Sequence, residues 1–234
     1  MTFKRLLSIF FNFHKTVYFN FRYFKPRIAI KLPIIFISGV KLNRMSGAIV
    51  LKGDIHPGMI VIGGNTNPLY MQTAHKCVWT NYGGVCIFTG RTFICGGSSI
   101  EIGQKGIISF GKNVYFGMLS RIACYESITI GDDCTFSWEN IITDTDFHSL
   151  ICLADNCRSK MSRPIVIGKN NWFGIRCCVS KGTVTPDDCT VSAYSFLNKT
   201  YNVPFNSIIG GIPAHLLKTG YKFDKQSHIN PLQQ

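Results

Sequence analysis

The sequence predicts an all-β solenoid in which short strands stack as a parallel β-helix. Aliphatic or aromatic residues recur every six positions, with one threonine among them, in three series: Phe110, Phe116, Ile122 and Ile128; Ile130, Phe136 and Ile142; and Ile167, Phe173, Val179, Thr185 and Val191. Glycine follows this position at Gly103, Gly111, Gly117, Gly131, Gly168 and Gly174. In most repeats a small side chain stands four residues after the aliphatic or aromatic position, as at Ser120, Cys134, Cys177, Thr183, Cys189 and Ser195.

The six-residue period matches neither a lone strand nor a helix, whose side-chain periods are about 2 and 3.6. It fits short strands joined by tight corners, three to a coil, with one apolar side chain pointing inward at each level. Such coils bury apolar ladders only by stacking on their neighbours. A sandwich or barrel also uses many short strands, but nothing in its architecture keeps a strict six.

The repeat divides the chain into three parts. We assign residues 1–48 to an amino-terminal extension, 49–212 to the β-helix and 213–234 to a terminal segment and tail. Residues 26–100 contain degenerate early coils, as in "GMIVIGG" and "GVCIFTGRTFICGG". Residues 143–164 interrupt the hexads and predict a loop, and insertions in solenoids often form the binding face. The Thr185-Pro186 pair and several phenylalanines in aliphatic slots predict a locally irregular coil.

The amino-terminal extension is basic and aromatic. The chain carries a net charge of +13, and ten lysines and arginines precede the first acid, Asp54. Such a bias suits a solvated face, an acidic substrate or anionic lipid head groups, whereas no nucleic-acid-binding motif is present. The aromatic residues within 1–25 predict a helix that either caps the solenoid or lies in a membrane surface. Asn12 and His14 interrupt a signal-like apolar run, so we expect no cleaved signal.

The ten cysteines form no C-x-x-C pair and no zinc-like spacing. We expect free thiols that act as small hydrophobic side chains in a cytoplasmic protein, located in the cytoplasm or on the inner membrane face, and we expect no metal.

Two segments carry a family resemblance. "IGKNNWFGIRCCVSKGTVTPDDCTVSAYSFL" at Ile167–Leu197 and "IIGGIPAHLLK" at Ile208–Lys218 resemble the hexapeptide-repeat acyltransferases. "SWENIITDTDFHSL" at Ser137–Leu150 is similar to sugar O-acetyltransferases of surface-polysaccharide biosynthesis (capsule, O-antigen or exopolysaccharide). The resemblance, which runs from about Glu101 to Lys218, implies a left-handed β-helix, acetyl-CoA as the acyl donor and a homotrimer.

His148 is the candidate general base. It lies where the hexads stop, behind Asp144 and Asp146, and the family's catalytic histidine falls at this place. Acyl transfer to a hydroxyl needs a base, because an alcohol is a poor nucleophile near neutral pH, and imidazole titrates in that range. Either aspartate would orient the ring, as a carboxylate does in a hydrolase triad, or would cap turns in the loop.

The resemblance also implies substrate contacts. Asn140 would bond the acceptor sugar or would instead form an inward ladder, and Trp138 would stack on the sugar or be an ordinary exposed aromatic. Coenzyme A would lie in the groove between two solenoids and meet Trp172, Gly174, Lys181, Ala193, Ser195 and Lys199, with Lys199 at the phosphates.

Two rival functions stay open at this point. One is acetylation of another acceptor, such as an antibiotic or an amino-sugar nitrogen. The other is a non-catalytic β-helix scaffold, which has no use for a histidine in an inserted loop. A carbonic-anhydrase-like solenoid would need three zinc-binding histidines on the coils, and the sequence lacks that array.

Overall fold

The computed structural model describes residues 3–64 and 76–225, and the side chains of these ranges apart from residues 3–9 and 11. Its strands form three largely parallel sheets that the chain visits in rotation, so that each strand up to the seventeenth pairs with the strand three places later. This topology is the predicted β-helix, in the left-handed form of the family. Side chains alternate between the interior and the surface along most strands, as in β12, Ser127–Ile130.

The first sheet, sheet A, contains these strands in order: β1 (Ile34–Phe36), β4 (Ile60–Ile62), β7 (Thr92–Ile94), β10 (Val114–Phe116), β13 (Thr135–Phe136), β16 (Trp172–Phe173), β19 (Cys189–Val191), β21 (Ser207–Gly211) and β22 (Ala214–Thr219). Sheet B contains β2 (Val40–Met45), β5 (Cys77–Asn81), β8 (Ser99–Ile102), β11 (Arg121–Cys124), β14 (Ile141–Thr143), β17 (Cys178–Val179) and β20 (Phe196–Leu197). Sheet C contains β3 (Ala48–Leu51), β6 (Val85–Phe88), β9 (Ile107–Phe110), β12, β15 (Ile165–Ile167) and β18 (Val184–Thr185).

The coils begin earlier than the boundary drawn at residue 49. Strands β1 and β2 already pair in parallel with β4 and β5. The early coils confirm the predicted degenerate repeats. Their turns are of unequal length, so the six-residue period is not visible in this part of the sequence. At the other end, β22 turns back antiparallel on β21, so the hairpin closes the stack across the boundary drawn at residue 212.

The core is an apolar ladder, as the hexads predicted, and its phenylalanines do not disturb it. The rings of Phe116, Phe136 and Phe173 stack on one another at centroid distances of 4.4 and 4.5 Å. The predicted irregularity at Thr185 is also missing. Thr185 pairs in register with Ile167, and its hydroxyl accepts a hydrogen bond from the amide of buried Asn171 at 2.7 Å. A hydroxyl with a partner is therefore tolerated in an aliphatic slot.

Helix α1 (Phe3–Tyr23) caps the first coil, and helix α2 (Pro26–Ala29) follows it. Asn20 donates to the Ile34 carbonyl at 2.7 Å and accepts from its amide at 3.2 Å, while Thr16 accepts from the Phe36 amide at 3.1 Å. These bonds satisfy the open edge of β1, which would otherwise expose unpaired backbone groups. Phe19 adds fully buried apolar contact against Phe36. The capping role is thus confirmed. No helix in the described residues is long and apolar enough to span a membrane.

Candidate active site

The inserted loop leaves the solenoid between β14 and β15, where the hexads stop. It begins at Asp144, which is fully buried. The Asp144 carboxylate accepts hydrogen bonds from the backbone amides of Tyr125 at 2.7 Å and Glu126 at 2.8 Å, and burial raises its pKa. Asp144 therefore fastens the root of the loop to the neighbouring coil, which is its capping alternative, and both of its oxygens are directed away from a catalytic role.

The root of the loop is a short antiparallel pair. Thr145 bridges Ser162, and the Asp146 amide donates to the Met161 carbonyl at 3.0 Å. Lys181 reinforces this pair because its ammonium group donates to the Lys160 carbonyl at 2.5 Å and contacts the Asp146 carboxylate at 2.5 Å. The Lys181 side chain is only 15% exposed. In the single chain the charge of Lys181 is therefore directed to the loop and away from the solvent, where we had expected it to meet the coenzyme.

His148 is exposed on this anchored loop. The residue before it, Phe147, has a φ of +60° and packs its ring edge-on against Tyr125 at 5.1 Å. Within the described part of the chain no hydrogen bond links His148 to Asp144 or Asp146, and Asp146 pairs with Lys181 instead. The loop thus presents the side chain of His148 at the surface.

A second group of predicted residues lines an apolar groove at the corner between sheets A and B. The groove has a volume of about 480 Å³. Trp138, Trp172, Gly174 and Ala193 lie together in its lining, with Ile175 and Ile208. The Trp172 ring is also stacked on Phe223 of the terminal segment at 4.8 Å. Gly174 serves the coil itself, because a Cβ there would lie 2.6 Å from the Ala193 amide nitrogen.

Two predicted contacts are buried in the coil at this corner. The Asn140 side chain is fully buried, donates to the Ser137 carbonyl at 2.8 Å and accepts from the Cys177 amide at 3.0 Å. Ser195 is likewise buried, and its hydroxyl donates to the Ser192 carbonyl at 2.6 Å. Both side chains are occupied by backbone groups of the coils, which for Asn140 matches the inward-ladder alternative.

The two groups occupy different corners of the triangular coil. The groove lies where sheet A turns into sheet B, whereas His148, Lys181 and Lys199 lie where sheet B turns into sheet C. Lys199 is exposed, with its ammonium group 5.7 Å from the centre of the Tyr201 ring. The width of sheet B separates the candidate base from the groove of the same chain.

Comparison with known proteins identifies the family of the chain. No protein-family model matches the chain. It is 30% identical over 138 residues to the putative lipopolysaccharide biosynthesis O-acetyl transferase WbbJ of Escherichia coli (strain K12), an alignment covering 55% of this chain and 69% of the relative. This chain belongs to the hexapeptide-repeat acyltransferases.

Other similarities are more distant. The acyltransferase is 28% identical over 131 residues to the probable acetyltransferase Rv3034c of Mycobacterium tuberculosis (strain ATCC 25618 / H37Rv), which covers 55% of this chain and spans 43% of the relative's length. The crystal structure of the polySia specific acetyltransferase NeuO has a TM-score of 0.46 and 19% identity, over 86% of this chain and 82% of that one.

Sequence reasoning missed a cluster on the rim of the groove. The Arg176 guanidinium donates to both oxygens of Glu139 at 2.9 and 3.2 Å and to the Tyr194 hydroxyl at 2.7 Å. All three residues have φ values near +60° and occupy the same corner position in successive coils of the acyltransferase. Alignment of the hexads by this position would have brought them together. The cluster stiffens the corner beside Trp138 and Ala193.

Proposed function

We propose that this acyltransferase moves an acetyl group from acetyl-CoA to a sugar hydroxyl in surface-polysaccharide biosynthesis (capsule, O-antigen or exopolysaccharide), with His148 as the general base. The observation that carries the proposal is an exposed imidazole on an anchored loop, in a chain whose E. coli relative is named as a lipopolysaccharide O-acetyl transferase. Within the family, this loop is where the resemblance places the catalytic histidine.

A general base is needed because the pKa of an alcohol lies far above neutral pH, so that the hydroxyl is a poor nucleophile until its proton is removed. The imidazole of His148 takes the hydroxyl proton while the acceptor oxygen attacks the thioester carbonyl. The tetrahedral intermediate then collapses, the carbon–sulfur bond breaks, and the imidazolium returns the proton to the departing thiolate. Among the described residues, Asp144 and Asp146 bond other groups and not the ring of His148.

The groove at the A/B corner is our proposed donor site. Its apolar lining between Trp138, Trp172 and Ala193 suits the pantetheine arm of coenzyme A. Trp138, on the same wall, remains a candidate platform for the sugar face. Lys199 lies at the same corner as His148, so its proposed contact with the coenzyme phosphates, as a point charge, would be made to the coenzyme in the groove of a neighbouring copy.

We propose that a homotrimer completes the site. Because His148 and the groove lie at different corners, the base of one copy would act on the coenzyme held by its neighbour. Closed threefold symmetry brings unlike surfaces of neighbouring copies together at every interface. Light scattering is expected to report a trimer at micromolar concentration, and a monomer would contradict this assembly.

Complementation tests whether two copies share one site. His148→Ala removes the base and Ala193→Trp fills the groove, so each variant alone is expected to be inactive. When the two variants are unfolded together and refolded in equal amounts, roughly a quarter of the sites should regain an intact loop and an intact groove. Acetyl-CoA turnover should recover accordingly. No recovery in folded mixed trimers would place base and groove in the same chain.

The acceptor atom separates this proposal from its rivals. Purified enzyme with acetyl-CoA is expected to acetylate a glycan hydroxyl and give a product that mild alkali reverses, because esters hydrolyse far more readily than amides. An alkali-stable product would favour the amino-sugar or antibiotic rival. Absence of transfer to any hydroxyl or amine acceptor, with acetyl-CoA bound, would favour the scaffold.

We also propose that helix α1 holds the enzyme on an anionic membrane surface. Its buried face carries Asn12, Thr16, Phe19 and Asn20, whereas the opposite face exposes these aromatic residues: Phe10 (75% exposed), Phe13 (50%), Tyr18 (58%) and Phe21 (50%). Ten basic residues and no acid precede Asp54. Aromatic side chains flanked by cations suit a lipid interface. Two copies of α1 would instead bring positive charges together, so repulsion disfavours contact between them.

Liposome binding tests this surface. Vesicles containing phosphatidylserine are expected to bind the enzyme at low salt and to lose it as ionic strength rises. Replacement of Phe10, Phe13 and Phe21 by serine should weaken binding, while Phe205→Ser, another exposed aromatic far along the chain, should not. Equal binding to neutral and anionic vesicles would contradict the proposal, and so would undiminished binding by the triple variant. Burial of these aromatic residues against a second copy of α1 would also contradict it.

A further inference from the structure

The tip of the inserted loop carries two cysteines whose exposure to solvent differs from that of the other described cysteines. Cys152 and Cys157 are exposed, whereas the remaining described cysteines are buried or half-buried. Burial of Cys134, Cys177 and Cys189 confirms the prediction that these thiols serve as small packing residues. That prediction does not hold for Cys152 and Cys157, which touch no apolar core.

The two cysteines face each other across a hairpin. Ile151 and Arg158 form an antiparallel bridge, and the Cys152 amide donates to the Cys157 carbonyl at 2.8 Å. Cys152 and Cys157 are thus the next opposed pair towards the turn. They share one backbone hydrogen bond, since the Cys157 amide donates to Asp155 instead. Directly opposed residues of antiparallel strands have Cα atoms about 4.5–5.5 Å apart, within the roughly 4.4–6.8 Å range that disulfides span.

The turn between the two cysteines also contains a carboxylate, that of Asp155. The Asp155 carboxylate accepts from the Cys157 amide at 3.0 Å. Hydrogen bonds from that amide and from the thiols of Cys152 and Cys157 lower the pKa of Asp155. Asp155 thus lies in the turn between the two cysteines, bound to the backbone of one of them. Asn156, with a φ of +53°, lets the chain reverse between them.

From this juxtaposition we infer that Cys152 and Cys157 form a reversible disulfide, a thiol-modification site in the loop that carries His148. The oxidant is a low-molecular-weight disulfide of the glutathione class. One cysteine thiolate attacks the glutathione disulfide, forms a mixed disulfide and releases one glutathione thiolate. The second cysteine thiolate then attacks the protein-bound sulfur and releases the other. The two protein sulfurs lose two electrons, glutathione disulfide gains them, and the two protons leave with the products.

The consequence of the bond is a stiffer catalytic loop. In the reduced protein the tip is held by backbone hydrogen bonds in an exposed hairpin, and such elements open readily. A covalent link between residues 152 and 157 prevents that opening four residues after His148. Oxidation is therefore expected to restrain the segment that presents the base.

The test uses the full chain with oxidised glutathione and reads out covalent mass. The intact protein should lose the mass of two hydrogens, and peptide mapping should locate the link between Cys152 and Cys157. Dithiothreitol should restore the original mass. Hydrogen exchange within residues 144–164 should slow in the oxidised form. These measurements need no sugar acceptor, so their outcome does not depend on whether the protein transfers acetyl groups.

Matched variants make the outcome decisive. Cys152→Ser and Cys157→Ser should each stop at the mixed disulfide and gain one glutathionyl group, whereas Cys178→Ser, a half-buried control, should still form the internal bond. Recovery of both loop thiols unmodified, or links only between different copies, would overturn the disulfide. A bond without any slowing of exchange would overturn the restraint of the loop.

Discussion

Replacement of His148 by alanine is expected to lower the rate of acetyl transfer by roughly 10²–10⁴, the usual contribution of a positioned general base. The side chain is exposed and fills no position of the apolar ladder, so the solenoid should stay folded. Coenzyme affinity should also survive, because the proposed groove lies at another corner of the coil. The measurements are acetyl-CoA turnover with a competent sugar acceptor and coenzyme affinity by calorimetry.

The control for His148→Ala is His148→Asn, which keeps similar bulk and hydrogen bonding but not basicity. It should be nearly as inactive as the alanine variant. Thermal melting of both variants should match that of the unmodified protein. Near-normal turnover by a folded His148→Ala enzyme would exclude the proposed mechanism while leaving the family assignment untouched.

Replacement of Asp144 by alanine is expected to destabilise the protein by about 2–5 kcal/mol, because two part-buried amide groups lose their acceptor and a cavity replaces a buried side chain. Those groups are the backbone amides of Tyr125 and Glu126. Activity should fall with stability, since the same carboxylate roots the loop that carries His148. Denaturant unfolding and turnover, measured on one preparation, give the two effects together.

The matched control is Asp146→Ala at the neighbouring aspartate. Asp146 is 46% exposed, and Lys181, although only 15% exposed, keeps the Lys160 carbonyl as a partner when the carboxylate is removed, so loss of the ion pair should cost about 1 kcal/mol. Its loss should leave the melting temperature almost unchanged and cost less activity than loss of His148. If Asp144→Ala proved as stable as Asp146→Ala, the assigned anchoring role would be wrong.

The comparison of these aspartates illustrates what the spacing of residues conveys. Asp144 and Asp146 are two residues apart in a polar stretch, and the sequence made either a partner for His148. The structure gives Asp144 to the amides of the preceding coil and Asp146 to Lys181 of the following one. Both partners are remote in sequence, so no local pattern distinguishes the two carboxylates.

The apolar ladder was predictable because each level repeats the same local rule. An inward residue every six positions stacks on its neighbours whatever the rest of the chain does, which is why Phe116, Phe136 and Phe173 were found correctly. The prediction of His148 as the general base rests on the interruption of that rule and on the family resemblance.

The tertiary structure alone decided which polar residues face outward and where they meet. Asn140 and Trp138 are near neighbours in sequence, yet one is sealed inside the coil and the other lines the groove. The separation of His148 from that groove, and the approach of Cys152 to Cys157, depend on which corner or hairpin each residue occupies. The hexad pattern sets the inward positions, because burial of apolar surface repeats along the chain. Contacts between coils and across the loop set the site, because hydrogen bonds and ion pairs join residues that the sequence keeps apart.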